Sequence, residues 1–194
     1  MRKSVGVLCA SGLMIAFLFS CAQIASAQGT AMHKKAPAGI AADLLTQWNY
    51  TGKLLIDMAA DFPENKFDYK ATAAQRTFAE QLLHAAGANY IFIDAALGTK
   101  IPRDVENPPA KMYATRAQLV DYVKKSYADG AAAIRKLGDK GLIEEIKAPF
   151  GNEMETRAAL FAEAMEHANN HYGQCVVYYR LNGLVPPESR PQKK

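Results

Sequence analysis

Four stretches of this chain repeat their apolar residues at steps of three and four, and no comparable stretch alternates with a period of two. A backbone turning every 3.6 residues gathers such positions onto one face, which a strand cannot do. Four apolar stripes have to be buried against one another, so the expected fold class is all-α, a four-helix bundle. The first stretch carries Leu44, Leu45, Trp48, Leu55, Met58 and Ala59 and runs out at Phe62-Pro63. The second is expected to open on Thr72-x-x-Gln75, a capping-box spacing, and to close at Gly98. The third opens on Thr115-x-x-Gln118, aligns Leu119, Val123, Tyr127, Ile134 and Leu137, and is expected to stop at Gly138. The fourth is expected to start near Asn152-x-x-Glu155 and to end at Asn182-Gly183, just before Pro186-Pro187.

The connections bear on topology. Residues 99–114 contain Pro102, Pro108 and Pro109 and make a link long enough to cross the bundle instead of forming a tight hairpin. Residues 139–151 form a second long link, expected to pack over one end. No internal repeat or low-complexity tract interrupts the pattern.

The first 27 residues have a different character. Arg2 and Lys3 precede an apolar run over residues 5–19, and Ala25-Ser26-Ala27 supplies a small-x-small cleavage site. That is the layout of a secretory signal peptide, and the run falls short of the ~20 residues a spanning helix needs. The protein is therefore expected to be exported, periplasmic or secreted. Leu18-Phe19-Ser20-Cys21 offers a second reading, a lipobox that would place a lipid anchor on Cys21, although phenylalanine is atypical at its position. Residues 28–37 are read as a flexible lead-in, 38–187 as the bundle and 188–194 as a polar tail. Cleavage leaves Cys175 as the single cysteine, so packing and not a disulfide must hold the fold. It also lowers the 23 Lys and Arg residues to 21 against 19 Asp and Glu. Near-neutral charge and export both argue against a nucleic-acid partner.

There are four histidines: His33 in the lead-in, then His84, His167 and His171. The last two are one helical turn apart and share a face, a spacing that lets two imidazoles reach one metal ion. Leu160, Ala164, His167, His171, Gln174 and Tyr178 follow one largely apolar stripe, which should face the core. His84 shares its face with Thr77, Gln81, Ala88, Ile91 and Ala95. Inward imidazoles need partners, since an unpaired buried polar group costs roughly 1–3 kcal/mol. Spacing alone leaves two readings open, hydrogen-bonded core histidines or ligands of one ion.

The run His167-Ala168-Asn169-Asn170-His171-Tyr172-Gly173-Gln174, then Tyr179-Arg180-Leu181-Asn182-Gly183 and Pro186-Pro187, resembles the C-terminal signature of the DinB/YfiT superfamily. Its usual form is H-x-x-H-H-R-G-Q followed by an apolar stretch and a Pro-Pro-like ending. The segment Arg76-Thr77-Phe78-Ala79-Glu80-Gln81-Leu82-Leu83-His84 resembles the family's second helix with its single histidine. Phe62-Pro63-Glu64 and Phe67-Asp68-Tyr69-Lys70 also have counterparts there, so the resemblance spans the whole expected mature chain. It implies an up-down-down-up bundle and one divalent metal, zinc or nickel first and iron after them, on His84, His167 and His171. Asn170 and Tyr172 depart from the family's histidine and arginine, which touches the surroundings of the site and not the triad. Family members often pair, which makes a homodimer a candidate assembly.

Three imidazoles leave coordination positions open, the physical basis for metal-assisted hydrolysis of a small-molecule substrate not identified by the sequence. The resemblance also implies thiol-dependent transferases or isomerases, chemistry that suits the cytoplasm better than an exported chain. A non-catalytic metal- or ligand-binding module, or an interaction module braced by its metal, is the alternative from another class. Glu80 and Glu163 each precede a histidine by four residues; they are expected as solvated or capping charges, with orientation of an imidazole as the other option. Gln174 is expected to point inward, Trp48, Tyr90 and Tyr178 to pack in the core, and Cys175 to behave as a buried small hydrophobe.

Overall fold

A computed structural model describes residues 39–191; the expected signal peptide, Cys21, the lead-in with His33 and the last three residues of the polar tail lie outside them. Four long helices dominate: α1 Ile40–Asp61, α2 Phe78–Leu97, α3 Arg116–Leu142 and α4 Arg157–Leu181. Short 3-10 turns occupy Glu64–Lys66, Ala110–Tyr113 and Pro187–Ser189, and two strands, β1 Glu145–Lys147 and β2 Met154–Thr156, pair antiparallel between α3 and α4. None of the described helices is long and apolar enough to cross a membrane.

Contacts between helix ends set the directions. Phe62, just past α1, stacks on Phe78 at the start of α2, with ring centroids 3.7 Å apart. The backbone N–H of Arg116, opening α3, donates to Glu64 Oε2 at 2.8 Å. The Tyr179 hydroxyl, near the end of α4, donates to the Met58 carbonyl at 3.1 Å. At the opposite end Ala41 N–H donates to Asp139 Oδ1 at 2.8 Å. The end of α1, the starts of α2 and α3 and the end of α4 therefore meet, and the bundle runs up-down-down-up. Helices α1 and α2 each pack on both α3 and α4, leaving α1–α2 and α3–α4 as the diagonals.

The core explains why each stripe reads as it does. Trp48 is fully buried, its indole N–H donating to the Tyr127 carbonyl at 2.8 Å. It fits because α3 presents Gly130, where a Cβ would stand 2.1 Å from Trp48 Cζ2. Phe62, Phe78, Tyr178 and Tyr179 close the end where α1 finishes and α2 begins, packed around one another. Burying each such ring contributes about 1.5–3 kcal/mol. Helix α2 is buried on nearly every side, with Glu80 and Asp94 its two charges, because the long link to α3 covers the face that the other helices leave open.

Several boundaries differ from the sequence reading. Helix α2 opens five residues later than expected, on a capping box formed by Thr77 and Glu80, while Thr72 and Gln75 make only a turn. The chain is pinned there because the N–H groups of Phe78 and Ala79 donate to the carbonyls of Tyr69 and Phe67. Helix α3 does open on the Thr115–Gln118 box, but it continues to Leu142 across a break at Gly138, whose φ of 58° is left-handed. Helix α4 is capped by the Thr156 hydroxyl instead of starting at Asn152, since residues 154–156 are already paired with β1. Three-residue strands are too short to display alternation. The polar tail also begins in order, with Arg190 donating to both carboxylate oxygens of Asp61.

Candidate metal centre

Helices α2 and α4 pack antiparallel, so each step forward along α2 meets a step back along α4. Gln81 meets Gln174 near the start of α2; one turn on, His84 meets His171 and His167. All three expected ligands come together. His167 Nε2 lies 3.2 Å from His84 Nε2 and 3.2 Å from His171 Nε2. The ligand atoms of the three rings fall within 4.8 Å of one another, a group that can hold a metal ion. His84 and His171 are buried and His167 is half-buried.

The outer ring nitrogens settle which atoms face inward. His171 Nδ1 is 2.7 Å from Gln81 Oε1. That oxygen is the acceptor end of the amide, because Gln81 Nε2 donates to Gln174 Oε1 at 2.7 Å. His84 Nδ1 is 2.9 Å from Asn107 Oδ1, which also accepts from Arg76 Nη2 at 3.3 Å. Both histidines therefore carry their proton on Nδ1 and turn a bare Nε2 lone pair toward His167. His167 Nδ1 is buried with no hydrogen-bond partner among the described residues.

Burial holds all three rings below the usual histidine range, and the neighbouring imidazoles add to it at His167 and His171. Burial is the largest cause in each case, followed by the Arg76 charge at His84, by His84 at His167, and by His167 at His171, which is pushed down to about 3. Neutral imidazole is the form that binds metal. Two lone pairs aimed at one nitrogen repel unless a cation lies among them; a proton bridges one pair at a time, whereas a metal ion satisfies all three. A tetrahedral ion with metal–nitrogen bonds of about 2.0–2.1 Å spaces its ligand nitrogens about 3.3–3.4 Å apart. Two of the three separations, at 3.2 Å, lie just under that edge, and the third falls within 4.8 Å.

His167 opens on a cleft of about 250 Å³ walled by Phe92 and Phe150 and rimmed by Glu106, Glu163, Glu166 and Asn170. Glu163 is half-buried, its pKa raised by burial and by the neighbouring charges of Glu155 and Glu166. Glu80 does not orient an imidazole: its carboxylate accepts the Thr77 backbone N–H at 2.7 Å, the capping role. Gln174 points inward as expected. Tyr178 donates to the Arg76 carbonyl, Tyr90 is half-buried against Asp129, and Cys175 is fully buried with its thiol pushed up to about 12. Sequence reasoning missed Asn107 and Glu106. Both sit in the proline-rich link, where no periodicity says which helix a side chain will meet.

Two solved structures share this arrangement of helices. A DinB-like protein from Bacillus cereus superposes with a TM-score of 0.63 at 19% identity, over 75% of this chain and 94% of that one. A DinB-like protein from Bacillus subtilis gives 0.57 at 20%, over 77% and 99%. At these identities the likeness speaks for the fold alone. No curated protein matches the chain. The sequence model of the DinB superfamily matches residues 47–175, a span that holds all three clustered histidines. The chain belongs to the DinB superfamily.

Proposed function

We propose that this protein is exported, holds one divalent metal ion through Nε2 of His84, His167 and His171, and hydrolyses a small substrate beside it. The observation that carries the reading is the convergence of three neutral ring nitrogens while acceptors fix the outer N–H of two of them. An ion on three imidazoles keeps positions open and supplies Lewis acidity toward a substrate oxygen or water. Imidazole donors suit zinc or nickel first, with iron after them.

The chain's own residues supply the rest. Phe92 and Phe150 meet edge to face at 5.7 Å and offer an apolar wall for a substrate's non-reacting part. Asn170 lines the same cleft with an amide able to hydrogen-bond it. Glu163 is the proposed acid–base group, since a raised carboxyl pKa moves it toward the pH at which it can both take and return a proton. In hydrolysis it would accept a proton from the attacking water and pass it to the leaving group. One water is consumed and the carboxylate ends as it began.

The test is turnover of p-nitrophenyl acetate and p-nitrophenyl phosphate by metal-loaded protein, chelated protein and Glu163→Gln. The proposal requires activity that disappears on chelation and falls about 10²-fold or more in the variant. The burial of His84 and His171, each 6% exposed, favours a second reading in which the metal braces a non-catalytic binding module. Chelation would then lower Tm while neither probe turned over. A thiol-dependent transferase stands behind both, because an exported chain is poorly placed for a cytoplasmic thiol. Family likeness adds a homodimer to the proposal, which light scattering tests.

A further inference from the structure

Residues 104–107, in the link between α2 and α3, sit closer to α2 than a side chain at the contact would permit. A Cβ at Gly87 would stand 2.3 Å from the Val105 carbonyl oxygen and 2.8 Å from that of Glu106, so any other residue there displaces the strap. Asp104 adopts a left-handed φ of 58°, the only non-glycine residue among those described to do so. Its carbonyl accepts the Asn107 N–H at 3.2 Å and closes the turn. A strained residue persists where its surroundings over-determine it, and such residues gather at functional sites.

The strap delivers two side chains to the triad. Asn107 accepts from His84 Nδ1. Glu106 places Oε1 3.6 Å from His84 Nε2, the only carboxylate in ion-pair contact with the triad among the described residues. The same side chain lines the cleft on which His167 opens. Its charge is needed there. Three neutral imidazoles do nothing to offset a divalent ion, and the Arg76 guanidinium, held nearby on Asn107, adds positive charge. A half-buried cation without an anionic partner is costly.

We infer that Glu106 is the anionic partner of the metal centre, a strap carboxylate that offsets the charge of an ion on the three imidazoles without joining its coordination, and that the fit of the strap on Gly87 positions it. This rests on the three-histidine reading. It makes Glu106 a positioning residue that acts through the field at the site, while Glu163 remains the group facing substrate.

The experiment is chelator-competition titration of Co²⁺ and Zn²⁺ into the purified, untagged protein and its Glu106→Gln, Glu106→Asp and Gly87→Ala variants, with visible spectra of the Co²⁺ forms. Glu106→Gln should bind about 10–100-fold more weakly, with the Co²⁺ bands unmoved. The gap should narrow between about 0.05 M and about 1 M salt, because screening weakens a through-space interaction. Glu106→Asp should recover most of the loss, and Gly87→Ala should lose at least as much as Glu106→Gln while keeping its helical circular dichroism. Wild-type affinity in Glu106→Gln, or a shift of its Co²⁺ bands, overturns the inference and leaves the three-histidine site standing. A protein that binds no metal at all takes both down together.

Discussion

Gln81 is the residue through which the account can be tested most sharply short of the ligands themselves. It is 1% exposed, and its amide is fully engaged, accepting from His171 Nδ1 at 2.7 Å and donating to Gln174 Oε1 at 2.7 Å. Gln81→Leu keeps the volume and removes both bonds. His171 then has a buried N–H with no acceptor, which costs about 1–3 kcal/mol. The ring can escape only by moving its proton to Nε2, the atom the metal needs. Every route lowers affinity, and the expected loss is about 10–100-fold in metal Kd, or about 1.4–2.7 kcal/mol, the same size as the lost hydrogen bond. Gln81→Glu is the control, since a carboxylate oxygen still accepts from His171 and Gln174 can turn its amide to donate. Chelator-competition titrations of Zn²⁺ on wild type and both variants give the numbers, with melts of the metal-free forms reporting fold. Equal affinity in wild type and Gln81→Leu would refute the claim that the outer N–H bonds fix these imidazoles as ligands.

Three further outcomes follow from the packing and the charges. Arg190, forked on Asp61, holds that carboxyl below its ordinary 3.8; a depressed folded-state pKa gives stability that is present above the unfolded value and lost as pH falls through the folded one. Arg190→Ala should therefore melt lower than wild type at neutral pH, and the difference should close as the pH is taken below about 4. Gly130→Ala drives a methyl to within 2.1 Å of the fully buried Trp48 ring and should cost about 1–3 kcal/mol in urea unfolding. Cys175, fully buried and with its thiol pushed up to about 12, should resist Ellman's reagent in the native protein and react once the chain is unfolded.

What could be read from the sequence was whatever repeats. The stripes of α1 and α3 are amphipathic, so Trp48, Leu55, Met58, Leu119, Val123 and Ile134 announce both the helix and its buried face. The pairing of His167 with His171 belongs to the same class of signal, because two residues one turn apart on one helix need no tertiary knowledge. Joining His84 to them did need it. Its inward face raised that meeting as one of two readings, the family resemblance favoured it, and the antiparallel contact of α2 with α4 accounts for it. Helix ends were less legible where several cap-like residues crowd together: Thr72 with Gln75 and Thr77 with Glu80 offer two boxes, and the hydrogen bonds that Phe78 and Ala79 N–H donate to the Tyr69 and Phe67 carbonyls select the later one. Asn107 and Glu106 could not be read at all. Their places depend on how an aperiodic link lies across α2, which is decided by the absence of a side chain at Gly87.

The central claim, one metal on three histidines, is tested most directly by elemental mass spectrometry of the protein purified without a histidine tag, beside His171→Ala. The account predicts about one zinc, nickel or iron per chain in the first and little in the second, with the circular dichroism of the two alike. Comparable metal in both, or none in either after reloading, would contradict it and leave a DinB-superfamily bundle whose clustered histidines serve the core alone.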